Sequence, residues 1–274
     1  MFADDCLVYR IIDSVDDIGK LQDDLNTLMS WASTWQMSFN VTKCVDTHIT
    51  NATKHVIYGD YDMGGERLEW TDAAPYLGVT LTKNLSWSPH IAHTAGKARR
   101  NLGFVRRNLY QCPQSIRERA YKTLVRPLCE YACCVWDPYR GDDIRVLEQV
   151  QRSAARFVLN KPHKKNASTH ESVSDMISQL GWPSLQKRRE DATLIMLYKM
   201  RNNMVEIPTT YHPVGAPPRS RRGNSLNLVI PIGKVDSYKY SFIPRAARLW
   251  NNLPEATVQA ESLEVFKASL KATA

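Results

Sequence analysis

The apolar positions change their period along the chain. Ile18, Leu21, Leu25, Leu28, Ala32 and Trp35 recur at steps of three and four, which puts them on one face of a helix opened by Ser14, with Asp16 and Asp17 in its first turn. Before it, residues 2–12 gather aromatic and β-branched residues around a polar pair, the pattern of strand, turn and strand. From residue 37 to 81 the pattern shortens to β-rich pieces at 37–41, 45–50, 55–58, 67–70 and 76–81, with Gly64-Gly65 marking a turn.

Beyond Leu81 the helical period returns. Ser88-Pro89 caps a helix whose stripe is Ile91, Ala95, Ala98, Leu102, Val105 and Leu109. Residues 114–131 and 143–160 predict two more helices, the first broken near Pro127, which has no N–H to donate. A short helix at 171–180 and a longer one at 184–203 follow. Residues 205–244, rich in proline, glycine and basic side chains, predict a long, partly ordered connection. Helical patterning resumes at 243–250 and 261–271, and no repeat of fixed period organises the chain. The fold class expected is α+β: a small mixed domain followed by mainly helical ones.

With 274 residues and 43% hydrophobic content, the chain is long enough for one large core or two modest ones. Its net charge of +8 conceals two halves. Residues 1–72 carry 13 Asp and Glu against 5 Lys and Arg, whereas residues 73–274 carry 15 against 31. A basic body of this kind is the footprint of a polyanion binder, since each cation that neutralises a phosphate releases a counterion; a merely soluble basic surface is the bland alternative. No apolar run approaches the roughly 20 residues of a membrane span, so no membrane partner is expected. The six scattered cysteines, with no paired C-x-x-C spacing and no leader in view, read as reduced thiols of an intracellular protein, nuclear or cytoplasmic. His163 and His170 stand at no ligand spacing, and no zinc site is assigned.

Asp4-Asp5 is the most pointed chemical feature. Apolar residues flank it on both sides, Phe2-Ala3 before and Cys6-Leu7-Val8 after, and carboxylates in such a place need a compensating cation or a turn that exposes them. Two adjacent carboxylates are hard oxygen ligands suited to Mg²⁺ and to two-metal phosphoryl transfer; a hairpin turn with two solvated aspartates is the competing reading. The dipeptide also occurs at Asp16-Asp17, Asp23-Asp24 and Asp142-Asp143, where helix faces, first turns and caps account for it. The strip from Ser86 to Cys112 holds no acidic residue and places Lys97, Arg99, Arg100, Arg106 and Arg107 on a helix whose other face is apolar. Such a helix can pack on a core and track a sugar-phosphate backbone, or it can simply be solvated. Lys161, Lys164 and Lys165, then Arg219, Arg221 and Arg222, could extend the contact or act as a nuclear import patch.

An ordered series of segments resembles the reverse transcriptases of non-LTR retrotransposons, especially jockey-like elements. Phe2-Ala3-Asp4-Asp5 resembles the metal-binding polymerase hairpin, and Asn40-Val41-Thr42-Lys43 the next palm motif. Tyr76-Leu77-Gly78-Val79 resembles the primer grip, and Leu85-Ser86-Trp87-Ser88-Pro89-His90-Ile91 the lead into the thumb helix. Tyr121 to Pro127, Glu130-Tyr131-Ala132, Val135-Trp136-Asp137-Pro138, Leu147 to Gln151, Arg156-Phe157, Leu180-Gly181-Trp182, Arg188-Arg189 and Ala246 to Pro254 continue it through the C-terminal region.

The resemblance implies a truncated palm over 1–82, a helical thumb over 83–131, a helical C-terminal domain over 132–204, a linker over 205–244 and a closing helical segment over 245–274. It implies that Asp4 and Asp5 are metal ligands and that Lys43, by itself read as a solvated surface lysine, lies near the nucleotide phosphates. The partners it implies are an RNA template, a DNA primer and the missing N-terminal polymerase region. The fingers and the third catalytic carboxylate belong upstream of the hairpin in that family, so these 274 residues are expected to be catalytically incomplete, with Mg²⁺ held only in the complete polymerase. A non-catalytic nucleic-acid-binding remnant, or a fragment without a role, is the alternative.

Overall fold

Gly64 and Gly65, both at positive φ (66° and 85°), close a tight turn between β2 (Asp62–Met63) and β3 (Glu66–Arg67), where only glycine reaches both conformations without strain. This hairpin lies under α1 (Val15–Thr34), in a computed structural model that describes residues 5–52, 54–161, 172–216 and 224–272. The chain divides into two units, residues 1–90 and 91–274.

In the first unit the amphipathic stripe of α1 meets the hairpin. Leu25, Tyr61 and Met63 are buried together, with Ile18, Leu21, Met29, Phe39, Val41, Cys44 and Leu68 packed around them. Gln22 acts as a surrogate strand edge: its amide donates to the Asp62 carbonyl at 2.9 Å and accepts from the Asp62 N–H at 3.0 Å. At Gly59 a Cβ would stand 2.5 Å from Cγ2 of Ile18, so the backbone approaches the helix more closely than any side chain allows. The helix start follows its sequence signature, since the Asp17 carboxylate accepts from the Ser14 N–H at 3.0 Å and hydroxyl at 2.7 Å. Those bonds, with the Lys20 ammonium, hold Asp17 well below the usual carboxylate range.

The strands of this unit are short. β1 (Val45–Asp46) runs parallel to β4 (Glu69–Trp70), and β5 (Ala73–Tyr76) pairs antiparallel with β6 (Val79–Thr82) through a two-residue turn at Leu77-Gly78. Of the strand-turn-strand expected over 2–12, residues 2–4 lie outside the described residues and Asp5 makes a single β-bridge. Residues 6–12 are irregular, and Leu7, Val8, Tyr9 and Ile11 are exposed. Strand propensity needs a partner edge, and no described strand pairs with this segment. Residues 37–41 and 55–58 are likewise not strands; Val41–Lys43 forms a single 3₁₀ turn.

The second unit is helical. α2 (Ser88–Leu109) leads into it and buries Ile91, Ala95, Ala98, Leu102 and Val105. α3 (Gln114–Ala120) passes into a π turn at Tyr121–Val125 and a 3₁₀ turn at Arg126–Cys129, which is the break expected at Pro127. α4 (Cys133–Trp136), α5 (Gly141–Val158), α6 (Val173–Gln179) and α7 (Leu185–Arg201) follow. Gly181, at φ +60°, ends α6 in a Schellman motif: Trp182 N–H donates to Ile177 O at 3.1 Å, and Gly181 N–H to Ser178 O at 3.0 Å. The turn delivers Trp182 onto Tyr121, ring centroids 4.6 Å apart. Tyr121 then donates to buried Gln151 at 3.0 Å, and Gln151 to Pro183 O at 2.9 Å, so the polar atoms in this core are paired.

α8 (Asp236–Lys239), α9 (Phe242–Asn251), α10 (Glu255–Val258) and α11 (Leu263–Ala272) complete the unit. Trp250 and Phe266 pack with Leu194, Leu197 and Tyr198 of α7. The expected linker is better anchored than its composition suggests. Asn224 donates to the carbonyls of Trp250 and Leu253, Trp250 donates to Leu226 O at 2.9 Å, and Asn251 pairs with both backbone groups of Leu228, which is buried. Side-chain amides add to an antiparallel bridge between Gly215 and Leu228 here, a pairing invisible to helix or strand periodicity.

Candidate nucleic-acid interface

The stripe that anchors α2 dictates what its other side presents. At about 100° per residue, Lys97, Arg100 and Arg107 fall on the face opposite Ala95, Leu102 and the other buried positions, together with His93 and Phe104. All five cations of the helix are exposed, and none forms an ion pair with a carboxylate among the described residues. Phe104 stands among them with 59% of its surface exposed. A large exposed aromatic amid unpaired cations suits contact with phosphates and sugar or base faces together.

The five are not equivalent. Arg99 turns toward α5, donating to Val146 O at 3.3 Å and to the Gln149 side chain at 3.2 Å. It ties two helices together, so its guanidinium is partly spent on structure. Arg100 lies back over Gly96 and Arg107 over Gly103, each with a guanidinium nitrogen 3.6 Å from where a Cβ would stand. That symmetry follows from a repeat shorter than any fold-scale unit. Gly96-Lys97-Ala98-Arg99-Arg100-Asn101-Leu102 is followed directly by Gly103-Phe104-Val105-Arg106-Arg107-Asn108-Leu109, a seven-residue unit repeated once. The signal was in the sequence, at the length of two helical turns. It sets equivalent cations about 10.5 Å apart along the axis. The asparagines differ, Asn101 donating to Leu124 O at 3.2 Å and Asn108 to Phe104 O within its own helix at 2.8 Å.

The residues singled out by the resemblance are less completely placed. Asp4 lies outside the described residues, as do Lys164, Lys165, Arg219, Arg221, Arg222, His163 and His170. Asp5 is exposed. Lys43 ends the 3₁₀ turn, exposed, and its N–H donates to Asn40 O at 3.0 Å while Thr42 donates to the Asn40 side chain at 2.6 Å. Among the described residues no group of three or more His, Cys, Asp or Glu is arranged to hold a metal ion. Asp5 alone of the pair is described, and one carboxylate does not supply the near-octahedral set that Mg²⁺ demands. Gly141-Asp142-Asp143 forms the first turn of α5, with Asp142 paired to Arg145, as expected for charge at a helix N-terminus. All six cysteines are free thiols. No helix among the described residues is long and apolar enough to cross a membrane.

Beneath the surface of this unit lies a buried ionic group that sequence reasoning did not find. Arg189, fully buried, donates through Nε to Asp137 at 2.6 Å, and Arg245 approaches the other oxygen of Asp137 at 3.7 Å. Arg245 also donates to Cys134 O at 2.9 Å. Burial lowers the Arg245 pKa, and Asp137 opposes that shift. The residues are far apart in sequence, and only their role in the resemblance singled out Asp137 and Arg189.

Comparison with known proteins finds relatives of the chain. Over 172 residues, 61% of this chain and 19% of the relative, it is 23% identical to a probable RNA-directed DNA polymerase from transposon BS of Drosophila melanogaster. It is 24% identical over 163 residues to a probable RNA-directed DNA polymerase from transposon X-element of the same species, covering 57% of this chain and 18% of the relative. It is 26% identical over 220 residues to the RNA-directed DNA polymerase from mobile element jockey of Drosophila funebris, covering 77% of this chain and 21% of the relative. The chain spans about a fifth of the length of these curated relatives. No family model matches it, and no solved structure matches it. Its homologues are the RNA-directed DNA polymerases of jockey-like non-LTR mobile elements.

Proposed function

We propose that this chain is the duplex-gripping, C-terminal part of a mobile-element reverse transcriptase, with α2 as the thumb helix that holds the RNA template and DNA primer. The single observation that carries the reading is the outward face of α2, where Lys97, Arg100 and Arg107 surround exposed Phe104 without a carboxylate partner among the described residues. Residues 83–131 serve as the thumb and 132–204 as the helical C-terminal domain. Asp4 and Asp5 act as Mg²⁺ ligands, and Lys43 stands by the nucleotide phosphates, when the fingers and a third carboxylate are supplied.

The 274 residues alone bind nucleic acid without polymerising. Positioning supplies most of the catalysis of phosphoryl transfer, and two adjacent carboxylates cannot fix two ions. The test is an anisotropy titration of the purified chain with an RNA–DNA hybrid duplex across salt. Affinity is expected to fall with salt, and the double reversal Arg100→Glu, Arg107→Glu to flatten the slope by about two phosphate contacts. Those two arginines are chosen over Arg99, whose reversal would also break its bonds to α5. A salt-independent signal, or an unchanged slope, rejects the reading. Template-directed incorporation by the purified chain that disappears in Asp4→Ala would overturn the incompleteness.

A further inference from the structure

A second surface in the helical unit has features that call for a ligand. Tyr139, between α4 and α5, stacks on Tyr240, between α8 and α9, with ring centroids 4.1 Å apart and planes 5° from parallel. Tyr139 is 42% exposed and has no other ring partner among the described residues. Cations gather at the pair: Lys239 lies 5.0 Å and Arg248 5.8 Å from the Tyr240 centroid, and Arg140 is exposed beside Tyr139 in sequence. A stacked pair that leaves Tyr139 this exposed is more than hydrophobic filling, because burial would hide both rings.

The pair is also held rigidly. One nitrogen of Arg245 donates to the carbonyls of both Asp137, at 3.4 Å, and Tyr240, at 3.2 Å. The same side chain faces the Asp137 carboxylate that binds buried Arg189. Arg248 in turn donates to Lys239 O at 2.6 Å. The buried ionic group therefore fixes the backbone that carries each ring. Much of the ordering that an aromatic platform would otherwise undergo on binding is already complete.

We propose that Tyr139, stacked on Tyr240 and flanked by Arg140, Lys239 and Arg248, is a stacking platform for an unpaired base of single-stranded RNA. The π-face of a base continues the stack beyond Tyr139, and the cations meet the adjoining phosphates. The inference rests on the reading of the chain as part of an RNA-directed polymerase. It adds that the chain holds RNA outside the duplex, at a place separate in sequence from α2.

The test compares anisotropy titrations with a short oligouridine, the matching oligothymidine and an RNA–DNA hybrid duplex of the same length. The proteins are the full chain, Tyr139→Ala, Tyr139→Phe and the double reversal at Arg100 and Arg107. Tyr139→Ala is expected to weaken oligouridine binding roughly 5- to 150-fold and hybrid binding by less than about twofold, while Tyr139→Phe, which keeps the stack, restores single-strand affinity. The Arg100 and Arg107 reversals are expected to act mainly on the hybrid. Equal losses on both ligands in Tyr139→Ala, or no loss, overturn the platform. A chain that binds hybrid but not oligouridine overturns it and leaves the α2 reading standing, whereas binding of neither ligand overturns both. Tighter binding of oligothymidine than oligouridine overturns the assignment to RNA.

Discussion

The two units differ in how far their apolar residues are satisfied. Among the described residues, five apolar side chains are buried in residues 1–90 and 31 in residues 91–274. The first unit leaves Leu7, Tyr9, Ile11, Val15, Trp35, Ile49 and Tyr58 exposed despite a sound helix and three hairpin or ladder pairs. Its elements are correct locally and thin globally, because two-stranded pairs bury little without a further layer. The second unit packs long helices on each other, encloses Arg189 with Asp137 in its interior and presents the cations of α2 outward. Local signals can be equally clear in two regions while stability resides in one.

The largest expected effect tests where that stability lies. Asp137→Ala leaves Arg189 and Arg245 facing each other without a counter-charge in the interior, and should lower stability by about 3–5 kcal/mol. Urea denaturation followed by tryptophan fluorescence should show the late transition moving earlier, with the early one unchanged. If a single transition moves as a whole, the two units unfold together and the contrast is overstated.

A smaller effect is expected in the first unit. Leu25→Ala removes a central side chain of the α1 core and should destabilise that unit by about 2 kcal/mol. Thiol labelling reads it by position: Cys44, packed at that core, should react faster, while Cys129 and Cys133 stay protected. Burial pushes Cys129 up to about 12. Cys133 is raised by its bond with Cys134 and by burial. Faster labelling of Cys129 in this variant would show that the units share one cooperative core.

The smallest effect concerns pH. Burial pushes the Glu118 pKa up, but hydrogen bonds from Lys122 and the Trp182 indole N–H outweigh it and hold the group below its ordinary value. A depressed folded pKa stabilises above the unfolded carboxylate value of about 4.3 and loses that contribution as pH falls through the folded value. Glu118→Gln should therefore lower the Tm of the second unit near neutrality, and the gap from wild type should shrink in acid. A gap that widens in acid would mean that packing of Trp182, not ionisation, sets the effect.

The sequence by itself determined most helices, because a repeat at three and four residues is a local property that packing then used unchanged: the α1 stripe became the small core, and the α2 stripe the buried side of the cationic helix. It determined the Gly64-Gly65 turn, the break at Pro127 and the acidic first turn of α1, each through the stereochemistry or dipole of a few residues. It also holds the seven-residue repeat in α2. Tertiary structure decided what depends on distant partners. Residues 6–12 have strand propensity but form no strand where no described edge pairs with them. The segment from Asn224 to Leu228 has the composition of a linker but docks, since the Asn251 amide and the Trp250 indole of α9 meet its backbone. Arg99 and Arg100 are neighbours of one type, yet the first is bound to α5 and the second faces outward. Asp137, Arg189 and Arg245 meet across more than a hundred residues, and Tyr139 meets Tyr240 above them. Periodicity specifies which face of an element is apolar, but only the completed packing specifies which side chains face each other.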